Sequence, residues 1–407
     1  MSNLYKRLKR IAHPRILRYL ASSPRVTINS VHHHLSDGRW LPVETLNQRP
    51  LVHVANFTTG NAGDALLTTV LRDLFSQQIG GLQWSKLHAH DVVGASELAR
   101  INAATGVVVG GGGLFLKDSN PNRVSGWQWP ISVQAIHDLN VPLILFAVGY
   151  NRFRQQGDFD PLFGENVVEL IRKASFVGMR NYGSVRGIRS YLPEELHSKV
   201  VYQPCMTTLI SRIYPERFQG NRAKQGFIAV NCAFDRSQLR FAGREEEILG
   251  NLASALKVLG QEREIRYFSH SKGDENFLPY LDRAGVRYTV NRLFHRKGEE
   301  IIADYQAPDL VIGMRGHAQM IPFGCGTPIL SLISHDKMRW FLDDIGHNEW
   351  GLELTEPDLQ ARVVATARKL IATDAETRAD IATVQDRLLQ ITLENLTQIK
   401  KCLVPFG

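Results

Sequence analysis

Two stretches of this chain repeat one order of residue types. Phe176-Val177-Gly178-Met179-Arg180 is an apolar run broken by glycine and closed by arginine, and Leu310-Val311-Ile312-Gly313-Met314-Arg315 follows the same order. A short buried strand that stops at glycine and hands over to polar residues is the pattern of a parallel α/β sheet, whose ligand crevice lies beyond the carboxyl ends of the strands. Its recurrence predicts two such units, each with an arginine at its mouth. The second stretch is entered from Pro308-Asp309 and runs on through Gly316-His317-Ala318, with a helix expected from Ala318 to Phe323. Gly324 and Gly326 close that helix, and Pro328 opens a further strand, Ile329-Leu330-Ser331-Leu332-Ile333. An arginine fork and a titratable imidazole beside a helix N-terminus suit an anion that needs a proton moved.

Strands and helices alternate along the rest of the chain. Leu51-Val52-His53-Val54 reads as the first strand, Asn56 to Asp64 as a loop, and Ala65 to Phe75 as a helix with Leu66, Leu67, Val70, Leu71 and Leu74 inward. Asn61 with Asp64 three residues on is a capping arrangement. Asn61, Gly63 and Asp64 equally describe a binding loop at the mouth of a first βα unit, and both readings stay open. Gly106 to Val109 is a strand, and Gly110, Gly111, Gly112 and Gly113 after it are expected as a loop whose bare backbone lies against a ligand. It is not the dinucleotide fingerprint, because Phe115 occupies the place of the third glycine. Further strands are expected at 142–150, 200–204, 226–231, 266–270 and 286–290, with helices at 167–174, 245–259 and near 298–304. The expected architecture is α/β, with two doubly wound Rossmann-like domains facing across a cleft. They occupy 51–205 and 226–350, joined by a linker at 206–225 and followed by a helical tail at 351–407.

Composition bounds the function. Apolar residues at 43% and charged residues at 22% are ordinary for a globular enzyme, and no apolar run is long enough to span a bilayer. Cys205, Cys232, Cys325 and Cys402 are scattered without a C-x-x-C pair, which suits reduced cytoplasmic thiols rather than disulfides or zinc. The formal charge of +8 includes Lys6, Arg7, Lys9, Arg10, Arg15, Arg18 and Arg25, seven cations with no acid among residues 1–25, so the remainder is near +1 (8 − 7). A nucleic-acid reader would carry its cations on a folded face, so no nucleic-acid partner is expected. Within the lead-in of residues 1–50, Leu4, Leu8 and Ile11 share a helical face between those cations. That suits peripheral contact with an anionic membrane, and a frayed basic terminus fits as well. His32, His33 and His34 have no carboxylate or cysteine spaced for a metal site.

With these residues in view, the chain resembles the polysaccharide pyruvyl transferase family, whose fold is similar to two-domain GT-B glycosyltransferases. The resemblance rests on Gly60-Asn61-Ala62-Gly63-Asp64, Gly110-Gly111-Gly112-Gly113-Leu114, Arg180-x-x-x-Ser184, Arg315-Gly316-His317, and Gly326-Thr327-Pro328 with Lys337, in order over about 50 to 345. It implies transfer of a pyruvyl group from phosphoenolpyruvate to two hydroxyls of one sugar, releasing phosphate, with no metal and no cofactor beyond that co-substrate. It also implies donor contacts at Arg180, Ser184, Arg315, His317 and Lys337; the chemistry then gives proton transfer to His317, with Asp64 either its partner or the group that orients the acceptor. The acceptor would be a saccharide, which could be lipid-linked. Asn181 stands where an acidic residue often follows the arginine, and Ser334 where a tyrosine usually precedes the lysine by three. A GT-B glycosyltransferase using a nucleotide sugar would share the architecture, and its base and ribose would need a carboxylate and an aromatic wall. A non-catalytic sugar-binding protein of an envelope pathway would keep the folds but need neither Arg180 nor His317.

Overall fold

The computed structural model describes residues 49–80, 82–219 and 225–403. The basic arm at 1–25 and the histidine triplet at 32–34 lie outside the described residues. Two all-parallel six-stranded sheets make the frame. The first comprises β1 (Leu51–Ala55), β2 (Trp84–His88), β3 (Gly106–Leu116), β4 (Leu143–Asn151), β5 (Phe176–Met179) and β6 (Val200–Tyr202), in the order β2-β1-β3-β4-β5-β6. The second comprises β7 (Phe227–Asn231), β8 (Glu264–Ser269), β9 (Tyr288–Arg292), β10 (Leu310–Gly313), β11 (Ile329–Ile333) and β12 (Gly351–Glu353), in the order β12-β11-β10-β7-β8-β9. In each sheet the strand order reverses about the first strand, which puts a switch point between β1 and β3 and another between β7 and β10. The central strands read as unbroken apolar runs because helices cover both faces; every residue of β1, β4, β7 and β11 is buried.

The glycine run departs from its expectation. Gly110 to Gly113 lie within β3, whose pairing to β4 continues through Leu116 with an irregularity between Gly112 and Phe115. Gly111 (φ 76°) and Gly112 (φ 150°) take left-handed values that let the strand kink without leaving the sheet. A methyl group on Gly110 would stand 2.1 Å from the Phe146 carbonyl oxygen, so close strand approach explains that glycine. The last strand before β10 begins two residues later than expected, at Tyr288. The expected linker carries structure of its own, with a turn of helix at Ile210–Ile213 beside the first domain.

The tail divides between the domains. The helix Leu359–Ala372 covers the second sheet, whereas Asp374–Leu403 crosses back to the first. There Asn395 Nδ2 donates to the Tyr202 carbonyl at 2.9 Å, and Leu403 packs against Gly106. Elsewhere the seam is polar. Arg154 reaches Glu353 at 2.7 Å and also holds Asp336, Arg236 Nε meets Asp118 at 2.8 Å, and the His295 amide donates to the Thr59 carbonyl at 2.7 Å.

Candidate active site

Both switch points open into the same place. A cavity of ≈ 170 Å³ lies between the sheets, lined from the first domain by Asn61, Asp64, Gly113 and Arg180 and from the second by Arg315, His317 and Lys337. Its size suits a compact ligand rather than a drug-sized one. On the first domain, Asn61 caps the helix Ala62–Ile79, its Oδ1 accepting from the Gly63 amide at 2.9 Å and the Asp64 amide at 3.4 Å. The cap therefore involves Asn61 alone, and the Asp64 side chain is left for the cavity. Arg180 follows β5 directly, is 6% exposed, and lies across Gly149 with its Nε buried and without a partner among the described residues. On the second domain, His317 opens the helix His317–Gly324 and rests against Gly63, with its Nε2 buried and without a partner among the described residues.

Some expected contacts are absent from this wall. Ser184 is fully buried, and its hydroxyl accepts the Tyr150 amide at 3.0 Å, so it braces β4 rather than facing a ligand. Gly63, Gly111 and Gly112 do not line the cavity either; Gly111 packs near Leu67 and Gly63 lies under the imidazole. Arg315 lines it, yet most of its fork is already engaged. Its Nε lies 2.9 Å from Asp274 and its Nη2 2.5 Å, Nη2 also reaches Ser271 at 3.1 Å, and Nη1 meets Asp235 at 3.0 Å. The reason is that Asp274, at 0% exposure, must be neutralised where it sits.

Reasoning from sequence missed Asp235, Arg236 and Arg240. Arg240 is 3% exposed and donates to Asp235 at 2.7 Å and to Ser334 at 2.7 Å, so the serine at the departure from the family pattern holds an arginine. Asp235 and Arg236 follow the end of β7 at a switch point, a signal that was available. Asp274 carried none, because its partner lies 41 positions away.

Charge tunes these groups. Burial, then Arg180 and the neighbouring His270, Lys337 and Arg315, hold the His317 imidazole neutral, well below its ordinary value. Burial likewise pushes the Asp64 carboxyl up, against the pull of Arg315, Arg180 and Lys337. Burial and then Arg240 bring Lys337 down to about 7. For Asp235 the sign is opposite, since Arg240, Arg315 and Lys337 outweigh burial and keep it ionised.

Two Rossmann-like domains with a cationic cavity between their switch points define a protein of the GT-B architecture. Solved structures agree on the fold. A glycosyltransferase from Rickettsia africae superposes with a TM-score of 0.53 at 9% identity, over 89% of this chain and 100% of its own. The S. aureus MnaA–UDP structure gives 0.51 at 11% identity, over 88% and 100%. A UDP-GlcNAc 2-epimerase from Neisseria meningitidis gives 0.50 at 9% identity, over 85% and 100%. No curated protein matches the chain. The family model for polysaccharide pyruvyl transferase matches residues 15–336, and the chain belongs to that family.

Proposed function

We propose that this transferase moves the pyruvyl group of phosphoenolpyruvate onto two hydroxyls of one saccharide residue, forming a cyclic ketal and releasing phosphate. The observation that carries the reading is the charge of the cavity. Arg180, Arg236, Arg240, Arg315 and Lys337 face Asp64 and Asp235, and after Asp274 and Asp118, which pair with Arg315 and Arg236, are counted a formal surplus of one remains (5 − 4). Phosphoenolpyruvate presents a carboxylate and a phosphate to such a surplus. Arg180 and Lys337 are the cations freest to touch it, while Arg315 contributes mainly field, through a guanidinium that Asp274 and Asp235 keep charged against its burial. No metal and no further cofactor is required in this reading.

The chemistry needs one proton at the methylene carbon and attack by oxygen at the neighbouring carbon. The donor's charge beside His317 opposes the cations that keep it neutral, which raises its pKa and supplies the acid. Asp64, a stronger base for its raised pKa, takes the proton of the first hydroxyl. That oxygen bonds to the cationic carbon, and the second hydroxyl oxygen then displaces phosphate. Of the two hydroxyl protons lost, one balances the new methyl group and the other leaves with phosphate.

Thermal shift tests the donor. Phosphoenolpyruvate at millimolar concentration with micromolar affinity should stabilise the protein by about 4 kcal/mol through mass action. Stabilisation by UDP and not by phosphoenolpyruvate would overturn the reading in favour of a nucleotide-sugar glycosyltransferase. The seven cations of residues 1–25 suit an anionic leaflet where lipid-linked saccharides are built. Deleting them should release the protein from anionic vesicles at low salt.

A further inference from the structure

The cavity is lined by two chemically different kinds of side chain. Beside the cations, Asn56, Gln128 and Asn151 of the first domain line it with neutral amides, and Asn151 lies next to Arg180. Their orientations follow from one atom. The Gly113 carbonyl can only accept, and it takes Gln128 Nε2 at 3.2 Å and Asn151 Nδ2 at 3.3 Å. Gln128 therefore turns its Oε1 to Asn56, whose Nδ2 donates at 3.0 Å; the same oxygen faces His90 Nε2 at 3.2 Å. Two carbonyl oxygens are left over. Asn56 Oδ1 and Asn151 Oδ1 are both buried with no hydrogen-bond partner among the described residues.

A buried acceptor without a donor is costly, and what satisfies it must carry protons. Phosphoenolpyruvate does not qualify, because a carboxylate and a phosphate ester near neutral pH are almost wholly acceptors. A polyhydroxylated neutral ligand does. We propose that Asn56 and Asn151, set by Gln128 and the Gly113 carbonyl, form the subsite that receives the hydroxyl pair of a saccharide acceptor. Rested on the pyruvyl-transfer reading, this puts two hydroxyl-orienting oxygens in the cavity that Asp64 also lines, and a ketal needs two hydroxyls. It also accounts for the fourth glycine. A methyl group on Gly113 would stand 1.7 Å from Asn151 Nδ2, so a side chain there would displace the amide.

The test is saturation-transfer NMR of the full chain with glucose, galactose, mannose, N-acetylglucosamine and N-acetylmannosamine, with and without phosphoenolpyruvate. Asn56→Ala and Asn151→Ala should each weaken binding of the preferred sugar about tenfold. Gly113→Ala, which keeps every amide and moves one, should do the same. Phosphoenolpyruvate affinity, read separately by calorimetry, should stay within about twofold in each variant that keeps the wild-type melting temperature. Sugar binding unchanged in Asn56→Ala and Asn151→Ala overturns the assignment, as does the absence of any sugar signal on the wild-type protein. Failure of the wild-type protein to bind phosphoenolpyruvate, with sugar binding intact and lost in these variants, sinks the pyruvyl reading and leaves the amide subsite standing.

Discussion

The His317 imidazole lies directly on Gly63, so closely that a methyl group there would stand 2.4 Å from Nδ1 and 2.8 Å from the histidine Cβ. An imidazole of one domain is thus seated on the first helical turn of the other. Only a residue without a side chain permits that contact, and the domains must be closed to make it. Gly63→Ala should keep the fold and lower kcat by about 10²–10³-fold, close to His317→Gln, with donor affinity changed only a few-fold. Steady-state kinetics beside a donor titration would show it; an unchanged kcat would mean the imbalance of protons is handled elsewhere.

Arg180 has a similar seat. A methyl group on Gly149 would stand 2.4 Å from its Nη2 and 2.8 Å from Cζ. Gly149→Ala should therefore displace the guanidinium and weaken phosphoenolpyruvate binding by about 10–100-fold, the worth of one charge-assisted hydrogen bond. Calorimetry on the variant checks this, and wild-type affinity would show that Arg180 does not touch the donor.

Asp274 should matter to stability before it matters to rate. It is 0% exposed and accepts from Arg315, from Asn231 at 3.0 Å and from the His270 amide at 3.0 Å. Asp274→Asn leaves a largely buried guanidinium without its main counter-charge. The expected cost is about 3–5 kcal/mol in chemical denaturation, with weaker donor binding as Arg315 loses its place.

Lys337 predicts a pH dependence with two signs. Its pKa of about 7 lies below the 10.5 of the unfolded chain. Between those values the folded protein has shed a proton that the unfolded chain keeps. This group's contribution therefore rises with pH across the window and is lost as pH falls through 7. Donor binding runs the other way, because the anion needs the ammonium. Affinity for phosphoenolpyruvate should fall as pH rises above 7, by up to about tenfold per unit, and Lys337→Met should flatten that slope. A slope that survives the substitution would assign the titration to another group.

The two repeated strand-Gly-Met-Arg stretches were legible because everything that makes them is local. An apolar run, a glycine that ends it and a polar residue beyond it are read from adjacent positions, and β5 and β10 fall on them. The helix Glu245–Leu259 was readable for the same reason, through its 3.6-residue spacing of apolar side chains. The glycine run was not, because a strand that kinks and a loop share one composition; only the pairing of β3 with β4 separates them. Ser184 was expected as a ligand contact through the family resemblance alone, but it is buried behind the cavity, where it accepts the Tyr150 amide.

Sequence by itself determined the two α/β units, the arginine at each mouth, and the imidazole beside one of them. Tertiary structure alone decided which of those groups remain free. Arg315 is taken up by Asp274, 41 positions away, while the amide subsite joins Asn56 to Gln128 across 72 positions and Asn151 to Gly113 across 38. Periodicity carries the burial of a side chain, since each turn or pleat repeats it within a few residues. The hydrogen-bond partner of a buried polar atom has no such period, because it is fixed by which strands the chain lays side by side.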